Sequence, residues 1–207
     1  LYHRLDSPLT RLRHLDMVHL ARRLWGPETG GLGALETRVL GFTRRDDVVG
    51  FVIPSRYFDY LRSGNPSPLR AVLTHNVLDL ASLAVLTARA CSLVDDGPAT
   101  TTDPRQCLGL GRIYERGGRV TEAVRCFESA ADWWTHRPGG LSRAHDIDVR
   151  AEALFRVASW SRHDKRYADA AHAWQQLLDL RRRPGLFERE ALRALAVYHE
   201  HRLKDVG

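Results

Sequence analysis

Residues 107–130 read CLGLGRIYERGGRVTEAVRCFESA, and the fold turns on how this stretch is parsed. Leu110, Gly111 and Tyr114 fall at helical spacing, Gly117 and Gly118 interrupt, and Ala123, Phe127 and Ala130 resume the same spacing. Small residues let two helices approach closely while the aromatic ring fills the space between them, so the stretch predicts a helical hairpin. Downstream, Val157 and Ala158 are followed at the same offsets by Ala170, Trp174 and Leu177, with His163 and Asp164 near the turn. Leu195 and Ala196 open a third copy whose second helix would lie past residue 207. The period is loose, because 47 residues separate Gly111 from Ala158 and 38 separate Ala158 from Ala196, against about 34 in a regular array. Such hairpins stack into a continuous core with a groove for a protein or peptide partner, and Tyr114, Phe127 and Trp174 are its expected repeat core.

Working upstream, Asp95–Pro104 (DDGPATTTDP) has the composition of a linker, which predicts one unit over residues 1–94, a linker over 95–104 and the hairpins over 105–207. Within the first unit, Met17, Leu20, Ala21 and Leu24 mark a helix that Asp16 can cap. Leu32, Leu35, Val39 and Leu40 mark a short second helix closed by Gly41, and Pro54 opens a third bearing Tyr57, Phe58 and Leu61. Residues 42–52 read as a linker in which Arg44, Arg45, Asp46 and Asp47 form local ion pairs. The fold class expected is mainly α.

The chain has 207 residues, 43% apolar and 27% charged, which places it among globular proteins and excludes disorder throughout. Leu1 opens it and Met17 is its only methionine, so a longer polypeptide is expected. Arginine or aspartate interrupts the apolar stretches, so a membrane partner is not expected. Cys91, Cys107 and Cys126 are widely spaced, unlike zinc or redox pairs, which points to a reducing cytoplasm. The formal charge of +6 rests almost wholly on arginine, since Lys165 and Lys204 are the only lysines. Arginine forks suit phosphate oxygens, but they also coat ordinary basic proteins.

The segment that asks for a chemical reason is THNVLDLASL, Thr74–Leu83. On a helix His75 and Asp79 share a face one turn apart. Such a pair can deprotonate water beside a divalent cation on a phosphodiester, or it can be an ordinary helix pair. Asp16 is either a helix cap or a carboxylate that positions substrate. Arg22, Arg23, Arg44 and Arg45 form a phosphate-facing patch if the chain folds them toward Asp79, and otherwise serve solubility.

HLDMVHLARRLW, LGALETRVLG, RRDDVVG, IPSRYFDYLRSG and VLTHNVLDLASLAVL, in this order, resemble the C-terminal half of YprB-like ribonuclease H-like domains, within the DnaQ-like exonuclease superfamily. The resemblance runs from about Leu12 to Leu93. It implies that the first unit is the C-terminal helical remainder of an α/β ribonuclease H-like domain. The implied reaction is 3'-5' exonucleolytic, metal-assisted hydrolysis of DNA or RNA, with Asp79 as a metal ligand and His75 as the residue that orients or activates water. Asp16, Arg22, Arg23 and Asn76 match recurrent positions that position substrate or support structure, and Glu36 and Tyr57 match others without an assigned role. The implied cofactor is Mg2+ or Mn2+ in the complete domain. Neither tight metal binding nor catalysis is expected of these residues alone, because the other acidic positions would precede Leu1. Residues 105–207 resemble tetratricopeptide repeats, which are protein-binding scaffolds. The alternative to an enzyme is a non-catalytic scaffold for nucleic acid or protein.

Overall fold

The computed structural model describes residues 11–26, 30–45, 47–135, 144–180 and 185–203. They form helices α1 (Met17–Trp25), α2 (Leu32–Leu35), α3 (Ile53–Ser63), α4 (Ser67–Asp96), α5 (Pro104–Arg116), α6 (Val120–Asp132), α7 (Ala144–His163), α8 (Tyr167–Asp179) and α9 (Leu186–Tyr198). A widened turn, Glu36–Leu40, prolongs α2, and a similar one, His199–Leu203, follows α9. Asp46 and Lys204 lie outside the described residues.

The caps are chemically explicit. The Asp16 carboxylate accepts from the Val18 amide at 2.8 Å, and Asp103 accepts from the amides of Arg105 and Gln106 at 2.8 and 3.0 Å. Each satisfies donors that the first helical turn leaves open. Gly41 and Gly64 close their helices in the left-handed conformation, at φ 66° and 68°.

No strand occurs among the described residues, and this overturns the assignment of residues 1–94 to an α/β ribonuclease H-like domain. The physical reason is in the pattern. The apolar residues of α1 recur every three or four positions, and nothing around Val48 and Val49 sustains the alternation of period two that a strand needs. The longest apolar run is interrupted once. Between Arg70 and Arg89 only Asp79 is charged, and α4, 30 residues long with an 18-residue window of mean hydropathy 1.7, is long and apolar enough to cross a membrane by length and composition.

The packing runs in chain order, α5 on α6, α6 on α7, α7 on α8 and α8 on α9, while α1 lies on α5 and touches α4. One apolar cluster extends from Met17, Leu24 and Trp25 through Leu86 and Ala90 to Phe127, Trp174 and Leu195. Tyr114, Phe127 and Trp174 all lie within it. Tyr114 donates from its hydroxyl to the Val94 carbonyl at 2.6 Å, which ties α5 to the end of α4. Burial pushes the Tyr114 phenol upward, and it pushes the Cys126 thiol up to about 12, so Cys126 is an inert core group. The opposite side of α4 and its neighbour α3 are bare, with Leu73, Val77, Leu80, Tyr57, Phe58 and Leu61 all exposed.

Two glycines set the closest approaches. A Cβ at Gly109 would fall on the Arg23 carbonyl, and one at Gly111 would meet the Phe127 ring at 2.5 Å. Gly109→Ala is therefore expected to push α1 off α5 and cost about 3 kcal/mol, the upper end of overpacking penalties. Gly33→Ala has open space and should be neutral or slightly stabilising. Phe127→Ala, in a fully buried site, should cost about 3–5 kcal/mol. Thermal unfolding of the three variants checks this order, and an unaltered melting temperature for Gly109→Ala would contradict the α1–α5 contact.

Candidate functional site

The site is built around Arg44, which the loop between α2 and α3 carries against α4. Its guanidinium makes a fork to Glu36, with Nε 2.7 Å from Oε2 and Nη2 2.5 Å from Oε1. Nη2 also donates to Asp79 Oδ1 at 2.6 Å, and Nη1 donates to Asp47 Oδ2 at 3.1 Å. Arg44 is 8% exposed at its side chain and Glu36 only 1%, whereas Asp79 retains 35%. A paired ion of this kind requires nearly complete hydrogen bonding, because an unpaired charge at such depth is costly. Arg44 supplies it.

His75 completes the group. Its Nδ1 lies 2.8 Å from Asp47 Oδ1, and a carboxylate only accepts, so Nδ1 carries a proton. The approach of Arg44 Nη1 to the same nitrogen, at 3.3 Å, then sets donor against donor and contributes no hydrogen bond. Nε2 faces Asp79 Oδ2 at 3.4 Å. With its tautomer fixed from the Asp47 side, a neutral imidazole turns its Nε2 lone pair toward the Asp79 carboxylate, so a base role requires a water at their shared edge to donate to both.

The electrostatics follow from these contacts. Burial works to raise the Glu36 carboxyl, but hydrogen bonds from Arg44 and Ser82, together with the Arg44 charge, hold it below its ordinary value. The hydrogen bond with His75 lowers Asp47, against the opposing effect of burial and with help from the Val48 amide and Arg44. The fork with Glu36 pushes the Arg44 guanidinium upward, so it is permanently charged.

His75, Asp79 and Arg44 thus come together, joined by Glu36 and Asp47, neither of which stands out in the sequence as a site residue. Asp47 reads there as half of a solvated loop pair, and Glu36 carries no role. Asp16 caps α1, and Asp16, Arg22, Arg23, Arg45 and Asn76 make no hydrogen bond or ion pair to the cluster among the described residues. The expected patch of four arginines facing Asp79 does not form, because Arg44 is buried among carboxylates and Arg22 and Arg23 line a notch between α1, α5 and α7.

Among the described residues, no group of three His, Cys, Asp or Glu side chains could hold a metal ion. The reason is visible in the cluster, where Arg44 already engages both oxygens of Glu36, one of Asp79 and one of Asp47. These side chains alone do not fit Mg2+ or Mn2+.

Comparison with known proteins finds that residues 1–91 are similar to a family profile of the RNase_H superfamily, which spans under half of the chain. A particular relative is the uncharacterized protein YprB of Bacillus subtilis (strain 168), 22% identical over 201 residues. That alignment covers 96% of this chain and 45% of the relative, so the chain spans under half of that protein's length. The similarity therefore reaches well beyond Leu93, into the hairpins. No solved structure matches.

The depressed Glu36 and Asp47 carboxyls bind protons more weakly in the folded than in the unfolded chain, so they add stability that is present above their ordinary values of 4.5 and 3.8. Melting temperature is expected to fall as the pH drops below about 4.5 through the lowered folded values. Arg44→Met leaves Glu36 buried without its partner and should cost about 3–5 kcal/mol. It should also remove the Glu36 share of the acid loss, because burial without Arg44 raises the Glu36 carboxyl above its ordinary value, so that the folded chain then binds this proton more tightly and gains stability from Glu36 as the pH falls. Urea titrations of both proteins from pH 3 to 8 check the shift, and identical profiles would remove the cluster from any account of stability.

Proposed function

We propose that the chain is part of a phosphodiester-hydrolysing protein in which His75 is the general base and Asp79 a carboxylate at the reaction centre. The observation that carries this reading is the Asp47–His75–Asp79 order, with Nδ1 held at 2.8 Å and Nε2 turned toward the half-exposed Asp79. Asp47 fixes the ring, Arg44 fixes one oxygen of Asp79, and the other oxygen stays next to the basic nitrogen. A water at that edge would lose its proton to Nε2, and Glu36 would keep Arg44 from drifting into the site. The superfamily match over residues 1–91 supports the same chemistry class. A divalent ion such as Mg2+ or Mn2+, which would stabilise charge on the phosphate, needs carboxylates from the rest of a longer protein to join Asp79. DNA or RNA is the substrate class, and the hairpins α5–α9 are the scaffold.

A second reading, a scaffold that binds nucleic acid or protein without catalysis, is favoured by Arg44. Its guanidinium already neutralises the carboxylates that an ion would use.

One substitution separates the two. In the longer protein, Asp79→Asn changes a ligand charge and little volume, so it should lower Mn2+-dependent cleavage of a labelled single strand by at least about 100-fold, comparable to other losses of a group acting in the transition state. His75→Ala should lower it by about 100-fold or more, within the range for a general base. Cleavage that survives both substitutions would remove His75 and Asp79 from the chemistry, whereas absence of cleavage from the unaltered protein with intact oligonucleotide binding would select the scaffold.

A further inference from the structure

A notch of about 190 Å³ lies where α1, α5 and α7 meet, lined by Arg22, Arg23, Arg105 and Arg112 with Asp148 and Glu152. The four arginines come from two stretches more than 80 positions apart, so the fold, not local sequence, brings them together. Of the two carboxylates, Glu152 is already committed. Arg112 donates to it through Nε at 2.8 Å and through Nη2, while Arg156 approaches the same carboxylate at 3.3 Å. Arg105 reaches Asp146 only at 4.0 Å. Among the described residues, neither Arg22 nor Arg23 makes an ion pair. Their place in the last turn of α1 suits the helix dipole, but the dipole does not account for their convergence with Arg105 and Arg112. Like charges gathered in a small space repel one another, and an anion between them reverses the sign of that interaction.

Gly26, at φ 100°, lines the notch, and a Cβ there would be strained and would sit 3.9 Å from Arg105 Nη1. The Arg23 carbonyl packs directly over Gly109, so the register of α1 on α5 fixes where the two unpaired forks begin. We propose that this notch is a phosphate-binding site, sized for a single phosphate group, with Arg22 and Arg23 as its principal donors. The phosphate belongs either to a nucleic-acid backbone or to free phosphate. The site needs no metal and does not involve His75 or Asp79, so it stands whether or not the hydrolytic reading does.

The 207-residue chain is titrated, with EDTA present, against a labelled twelve-nucleotide single strand by anisotropy and against inorganic phosphate by calorimetry. Arg22→Gln/Arg23→Gln is expected to weaken binding of the strand at least about tenfold and to reduce the slope of log affinity against log salt by about 1 to 2. Binding of the strand without saturable binding of inorganic phosphate assigns the notch to a nucleic-acid backbone. Saturable phosphate binding that competes with the strand and is lost in the variant assigns it to a general phosphate site. Equal affinities and slopes for the unaltered chain and the variant overturn the proposal, as does failure of the unaltered chain to bind either probe. Circular dichroism establishes that the variant is folded. If the double variant does not fold, Arg22→Gln alone, at an exposed position, is read in the same way.

Discussion

A guanidinium held among three carboxylates and an imidazole is the constraint on which the first part of the molecule depends. Arg44 comes from a loop, Glu36 from the turn that ends α2, and Asp79 from the middle of α4, and the cluster is where the three segments meet. The neighbouring α3 buries none of its residues, so polar contacts do here much of what an apolar core does in the hairpins. Taking Arg44 and Glu36 out of water is unfavourable, and only the near-complete set of hydrogen bonds between them makes their burial tolerable. The arrangement is consequently all or nothing, and its geometry is held more tightly than a surface ion pair would be.

The hairpin half is held by different means. Arg112, Glu152, Arg156 and Glu115 form a chain of ion pairs across α5 and α7, and Trp160 donates to Glu115 at 3.0 Å. Arg156 also lies over the Phe127 ring, 5.5 Å from its centroid. Beneath these contacts the small residues Gly111, Ala123, Ala158 and Ala170 are buried, which lets the large rings of Phe127 and Trp174 sit between helices. Here apolar burial provides the stability and the charges set the alignment.

How far the residues alone disclose this arrangement differs between the halves. Helices are legible wherever spacing is regular, as at Met17, Ala21 and Leu24, or where a cap stands at the right offset, as at Asp16. The pairing of His75 with Asp79 follows from their four-residue spacing on α4. The partner that comes from elsewhere in the chain is not legible. Asp47 and Arg44 look like a local pair, and Glu36 stands only at a recurrent position without an assigned role, because linear spacing carries no information about a contact 35 positions away, as between Arg44 and Asp79. The helical remainder expected of residues 1–94 is legible as helices, but its assignment to an α/β ribonuclease H-like domain is not carried by the described residues, which form no strand. A resemblance reports descent over aligned residues, whereas the structure reports which elements these residues form.

The contact between Gly109 and the Arg23 carbonyl bears on how change at this position should be interpreted. Gly109 sits close to an arginine notch and within a G-x-G pattern, and a comparison of sequences that found it invariant would invite a chemical explanation. The geometry gives a purely steric one, since any side chain there would occupy the space of a backbone carbonyl. Constancy at 109 would therefore be a record of helix packing, while variation at Arg22 and Arg23, whose positions packing leaves free, would be the informative signal about what the surface is used for.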